Sequence, residues 1–141
     1  MTKPIILFLV AVLSLFSTTA RADCVGGTEY TGNGIKLCVS TAKLNWFSAF
    51  AWCEANGLRL AKWADLCPNT STTAACSGWG TVLPAGSYQT AEPHPTTAGK
   101  HIWIERNSNN GMLYYKKADS QANNAETTYT LSAICVPKAN N

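Results

Sequence analysis

The stretch Lys43-Leu44-Asn45-Trp46-Phe47-Ser48-Ala49-Phe50-Ala51-Trp52-Cys53-Glu54-Ala55-Asn56-Gly57-Leu58-Arg59-Leu60-Ala61 carries the strongest local signal in the chain. Asn45 is a good N-cap, because its side-chain oxygen can accept an orphan amide of the first helical turn. Trp46 to Asn56 holds few helix breakers, and Gly57 suits the C′ position, where the backbone turns left-handed. Trp46, Ala49, Phe50 and Cys53 fall at i, i+3, i+4 and i+7, one stripe of a helix. That stripe is expected to face the core, so Cys53 needs a distant partner. Leu44 and Ala49 are placed for a weak hydrophobic staple. Leu58 to Leu60 then crosses over, and Lys62 to Cys67 reads as a short second helix ended by Pro68.

Upstream, residues 1–22 read as a secretory signal peptide. Lys3 supplies a basic start, Ile5 to Phe16 is an apolar run of twelve, and Ala20-Arg21-Ala22 is an A-x-A cleavage site. A run of twelve is too short to span a bilayer, which needs roughly 20 apolar residues. Cleavage before Asp23 leaves 119 of the 141 residues, enough for one domain over 23–141 and not for two. Asp23 stands before Cys24 where a lipobox has a small residue, which favours an unlipidated product. Losing Lys3 and Arg21 leaves nine basic and eight acidic residues, a net charge of +1. Nucleic acid and anionic membrane demand clustered Lys and Arg, so this balance argues against both as partners.

All six cysteines lie beyond the signal, at positions 24, 38, 53, 67, 76 and 135. An even count behind a signal peptide reads as a disulfide framework in an oxidising compartment, and spacing alone leaves the connectivity open. A zinc site needs closely paired ligands, and no C-x2-C is present. Cys24 to Cys38 contains Gly26-Gly27 and Thr31-Gly32-Asn33-Gly34, the turn chemistry of a hairpin or tight loop.

Residues 68–100 change character: 18 of these 33 residues are Thr, Ser, Gly or Pro, and only Glu92 and Lys100 are charged. The segment reads as a long loop, and loops of that length are usually functional or disordered. Strand signals return at His101-Ile102-Trp103-Ile104, at Met112 to Tyr115 after the polar turn Asn107–Gly111, and at Tyr129 to Val136 before Pro137. Residues 118–127 are polar and loop-like. Two helices followed by strands predict an α+β arrangement.

In order, Lys43-Leu44-Asn45-Trp46, Ala49, Cys53 and Asn56 to Ala61, then Trp103-Ile104, then Ala133-Ile134-Cys135, resemble the first helix, the buried "WIG" strand and the closing strand of a C-type lectin-like domain. The matching pieces span Cys24 to Val136. The resemblance implies two helices packed on small antiparallel sheets, and it implies a connectivity. Cys53 would pair with Cys135, and Cys24 with Cys38 as in the long form of the family. Cys67 and Cys76 are left for each other, a departure from the family. In sugar-binding members calcium is held by Glu/Gln-Pro-Asn/Asp and Trp-Asn-Asp motifs between the WIG strand and the last cysteine. Neither occurs among the 31 residues between Trp103 and Cys135. Glu92-Pro93-His94 lies before Trp103 and has His where a carbonyl oxygen is needed, and calcium prefers six to eight oxygen ligands. The chain is similar in its compactness to the terminal domains of some bacterial adhesins.

No nucleophile, base or metal arrangement suggests an enzyme, no phosphate loop is present, and no metal or cofactor is expected. His94 and His101 read as exposed structural residues. Trp46, Phe50 and Trp103 read as core. Trp79, in Ser77-Gly78-Trp79-Gly80 within the polar loop, is open to two readings: it stacks on a ligand, or it folds back to plug its own loop beside Cys76. Tyr88 shares that ambiguity. Glu105 and Arg106 fit either a rim salt bridge or ligand contact. Asn107, Asn109 and Asn110 can donate amide hydrogen bonds to a glycan, although turn chemistry also explains them. Asn69-Thr70-Ser71 matches a glycosylation acceptor. Trp79, Tyr88, Glu105, Arg106, Asn107 and Asn109 are thus the candidate ligand-binding residues, on a surface built from residues 68–100 and the 105–111 turn. The expected product is a secreted or periplasmic protein, with association to the cell surface among its expected locations. Its role is calcium-independent recognition of a glycan or an extracellular or periplasmic protein. A subunit of a surface assembly such as a pilus is the second reading and a secreted inhibitor the third.

Overall fold

The computed structural model of the protein describes residues 22–71, 74–116 and 130–139. The expected signal peptide before Ala22, the polar segment 118–127 and Tyr129 lie outside the described residues.

The chain begins with a hairpin. β1 (Gly27–Gly32) and β2 (Ile35–Leu44) pair antiparallel around a turn in which Asn33 and Gly34 both take positive φ. α1 (Trp46–Ala55) follows at once, with the Asn45 side chain accepting the Ser48 amide at 2.8 Å. It ends at Gly57, whose φ of +69° is the left-handed turn that a Cβ would strain. β3 (Leu58–Leu60), α2 (Trp63–Leu66), β4 (Gly86–Pro93), β5 (His101–Arg106), β6 (Leu113–Lys116) and β7 (Leu131–Pro137) complete the order. α2 is opened by the Asp65 carboxylate, which accepts the Lys62 amide at 2.7 Å and both Arg59 guanidinium nitrogens at 2.6 Å. Burial alone would raise the Asp65 carboxyl, but the hydrogen bonds from Arg59 and Lys62 and their charges hold it below the usual carboxylate range.

Among the described residues the strands form a single mixed sheet of seven, in the order β1-β2-β7-β4-β5-β6, with β3 also on β7. This corrects the expectation of small antiparallel sheets: β4 runs parallel to β7, through Tyr88↔Ser132 and Gln89↔Ala133, and joins the two halves into one. β4 also corrects the reading of 68–100 as one long loop. Its polar residues are satisfied inside the sheet: the buried Thr90 hydroxyl donates to the Ile102 carbonyl, and the Gln89 amide to that of Leu44 at 3.3 Å. At the irregularity between Val39 and Lys43, Ser40 bridges the strands by donating to the Ala42 carbonyl and accepting the Ala133 amide.

Each face of the sheet has its own core. On one, α1 packs Ala49 and Cys53 against Cys38, Leu60, Ala133 and Cys135. On the other, Ile104, Ile134 and Val136 meet α2 and the folded segment that follows it, with Trp63, Leu66 and Trp79 fully or nearly buried. Three disulfides staple the layers: Cys24–Cys38, Cys53–Cys135 and Cys67–Cys76. These are the pairs that the resemblance implies. The second joins α1 to β7 across a separation of 82 residues, a closure worth roughly 4–5 kcal/mol in the chain-entropy view.

Candidate binding face

Two of the six candidate residues are core. Trp79 has no exposed surface: its ring lies against Gly32, where an added Cβ would sit 2.7 Å away, and its indole N–H donates to the Leu66 carbonyl at 3.0 Å. The reading of Trp79 as a stacking platform is therefore corrected; it folds back beside Cys76, because its indole N–H finds a buried acceptor there. Tyr88 is buried too, with its hydroxyl donating to the Pro84 carbonyl at 2.5 Å. Burial, with a push from Tyr30 and an opposing pull from Arg106, drives its phenol up to about 12.

Two more are committed to holding the fold. Arg106 donates from Nε to the Leu83 carbonyl at 2.6 Å and from Nη1 to the Asn107 carbonyl at 3.0 Å. Asn107 uses its side-chain oxygen to accept the amides of Asn109 and Asn110, the local bonding that shapes the β5–β6 turn. Asn109 is exposed on that turn, and Glu105 is half-buried. The structure thus does not gather the six into one site.

What it does gather is a different set. Along β5 the alternating residues Ile102 and Ile104 are buried, Ile104 in the core opposite α1, so Trp103, in register with Gln89 and through it with Ala133, stands with Glu105 on the side that carries α1. α1 lies over β3 and β7, with fewer contacts to β4 and β2. Beyond it Trp103 pairs in register with Gln89 and Lys116, and Glu105 with Ser87 and Tyr114. Trp103 is half-buried rather than in the core, which corrects its sequence reading. Lys116 ties this patch together: its ammonium is 3.5 Å from the Glu105 carboxylate and 5.7 Å from the centre of the Tyr114 ring. The Tyr114 hydroxyl accepts the Asn110 side-chain amide at 2.8 Å, so the β5–β6 turn is fixed to the same face.

An aromatic cluster lies on α1. Trp46 donates its indole N–H to the Thr90 carbonyl at 2.9 Å, and its ring stacks on His101 with centroids 3.8 Å apart. Phe50 stacks on Trp46 at 5.5 Å and Phe47 meets its edge at 5.3 Å. Phe50 was expected in the core, yet it is 43% exposed, and Phe47 is 57% exposed. The stripe Trp46, Ala49, Phe50, Cys53 therefore turns only its Ala49 and Cys53 fully inward, and Phe50 lies to the outside of it against Trp46.

The polar residues that sequence reading weighed as ligands are otherwise engaged. The Glu92 carboxylate accepts the Trp63 amide at 2.9 Å, and His94 Nδ1 accepts the amides of Thr96 and Thr97. Among the described residues no group of three or more His, Cys, Asp or Glu is placed to hold a metal ion. Nor, among them, is any helix long and apolar enough to cross a membrane. No family model, curated protein or solved structure matches the chain.

Proposed function

We propose that this chain is an exported binding module with a C-type lectin-like fold, which recognises a glycan or a protein through the open half of its sheet and without calcium. The observation that carries the reading is a sheet face that, among the described residues, α1 covers over β3 and β7 and leaves open over β5 and β6. A surface on which Trp103, Glu105, Tyr114 and Lys116 share one register, beside a disulfide-stapled core, is a rigid platform that loses little entropy on binding. An indole beside a carboxylate, an ammonium and the Asn110 amide offers one stacking surface with donors and acceptors at its edge, the composition of sites that read polar ligands. Calcium-independence is supported by how the carboxylates are spent: Glu29, Glu54, Asp65 and Glu105 each pair with a Lys or Arg, and Glu92 holds a backbone amide.

The experiment is a glycan-array screen of the purified protein, with and without EDTA, beside Trp103→Ala shown to be folded by circular dichroism. Binding that survives EDTA and falls at least roughly tenfold in the variant supports the reading. Binding abolished by EDTA overturns calcium-independence. With no glycan bound, pull-down from an extracellular or periplasmic extract replaces the array, and Trp103→Ala must again reduce capture. Capture insensitive to Trp103 removes the site from this face.

A surface assembly remains the second reading, and the specific observation that favours it is the exposed Phe47 and Phe50 on α1. Exposed large apolar residues grouped on one element mark contacts with other proteins.

A further inference from the structure

α1 is apolar on both sides. Ala49 and Cys53 face the core, while Phe47, Ser48, Phe50, Ala51, Glu54 and Ala55 are exposed. A helix that is apolar all round is normally buried all round. Its outward residues also sort by size, with the two phenylalanines in the first half and Ala51 and Ala55 in the second. We propose that the outer face of α1 is a self-association surface, on which a second copy of this chain docks through the same helix, antiparallel and related by a two-fold axis near Ala51. This goes beyond the binding role and does not depend on it.

Three observations support docking on this face, and the first two select a second copy as the occupant. The first is shape. With the axis at Ala51, Phe47 of one copy stands opposite Ala55 of the other, and Ala51 stands opposite itself. Large residues then meet small ones at both ends, and the small centre permits the close approach, about 8–10 Å between axes, that helix packing requires. The second is charge. Glu54 is the one ionisable residue in α1, and Lys138 already holds its carboxylate at 2.5 Å, so the face repels no copy of itself. The same axis sets Ser48 opposite Glu54, a hydroxyl donor against a carboxylate acceptor. Antiparallel helices also place each negative C-terminus beside a positive N-terminus. The third is order. Phe47 and Phe50 both rest on Trp46, which is pinned by Thr90 and His101, so the anchors are held in place before any partner arrives.

Size sets the strength. A stable interface buries about 800 Å² on each partner, and one helix face of ten residues offers less. The dimer is therefore weak, with a dissociation constant on the order of 0.1 mM, and reversible. A two-fold pair carries two open sheet faces, so a multivalent ligand held by both gains avidity without further contacts.

Sedimentation equilibrium of the purified full-length secreted product, from about 5 µM to about 1 mM, tests this directly. The expected result is a reversible monomer–dimer equilibrium that Phe47→Ser weakens roughly tenfold or more. Ala51→Glu and Ala51→Lys should each be monomeric, since the two-fold axis sets like charges face to face. Mixing the two should restore a dimer, which a misfolded variant cannot do. A monomer throughout this range overturns the proposal, and so does a dimer indifferent to Phe47→Ser. Failure of the mixed variants to associate while the wild type dimerises also overturns it, because the pairing then is not two-fold at Ala51. A monomer whose Phe47 and Phe50 are protected from surface labelling by a bound glycan or another protein gives the stripe to that partner instead.

Discussion

Trp79 and Phe50 lie in regions that have exchanged their expected places. Trp79 sits between two glycines in a segment rich in Thr, Ser and Pro, yet it has no exposed surface; Phe50 sits on an apolar helical stripe, yet it is 43% exposed. Periodicity reports which residues share a face, while cover depends on what lies over that face. Around Trp79 the cover is made by long-range clamps. Cys67–Cys76 draws the segment onto α2, the Cys76 and Leu113 backbones exchange hydrogen bonds, and the β1–β2 turn closes with Gly32 on the indole. Around Phe50 the ring has Trp46 as its stacked neighbour and, among the described residues, stays open on its outer side.

The sharpest way to break this comparison is to delete the buried ring. Trp79→Ala removes a fully buried indole and leaves the Leu66 carbonyl without its donor, so the expected loss is about 3–5 kcal/mol. Urea unfolding monitored by circular dichroism measures it. A loss under about 1 kcal/mol would mean that the segment is not packed as described and would reopen the ligand reading of Trp79.

Tyr88 separates the same two readings with pH. Its phenol is raised from the ordinary 10 to about 12, so the neutral form is favoured by folding. The resulting contribution is fully present below about pH 10 and is lost as pH rises through the folded value near 12. Burial and Glu92 raise the Tyr115 phenol as well, so ultraviolet difference titration should show more than one tyrosine ionising above the ordinary range, and Tyr88→Phe should abolish the step near 12. The variant also loses the hydroxyl's bond to Pro84, for a cost of about 1 kcal/mol at neutral pH. If the step near 12 persists in Tyr88→Phe, another tyrosine is the buried one.

Much of the architecture was legible because it is local. The bounds of α1 follow from Asn45 and Gly57, whose cap and left-handed turn act within one helical turn of the residues they stop. The hairpin follows from Thr31-Gly32-Asn33-Gly34 in the same way. β4 was not legible, because a central strand is usually an apolar run and this one reads Ser87-Tyr88-Gln89-Thr90. Its polar groups are affordable only through Leu44 and Ile102, residues that no window around β4 contains. The candidate face was hidden for a related reason. That Trp103 opposes Ile102 and Ile104 can be read from strand alternation. That no helix among the described residues lies over it depends on β5 being placed beyond β4 in the sheet order, which is a property of the topology. Glu105 was singled out, but its partners Tyr114 and Lys116 reach it only through the register of β6.

The smallest expected effect completes the comparison. Phe50→Ser removes a whole phenyl ring, but its site is already open and its contact is one stacked neighbour. Truncation there creates no enclosed cavity, which is what makes buried deletions costly. The hydrophobic term is reduced to the fraction of the ring that Trp46 shields, and a polar residue on the outer face gains favourable hydration. The two nearly cancel, and the expected change is within about 0.5 kcal/mol in the same urea experiment. Solubility should rise as stability stays level. A loss comparable to that of Trp79→Ala would show that Phe50 is covered in solution, and its concentration dependence would say by what. If the loss grew with protein concentration, the cover would be another molecule; if it did not, the chain itself would supply it.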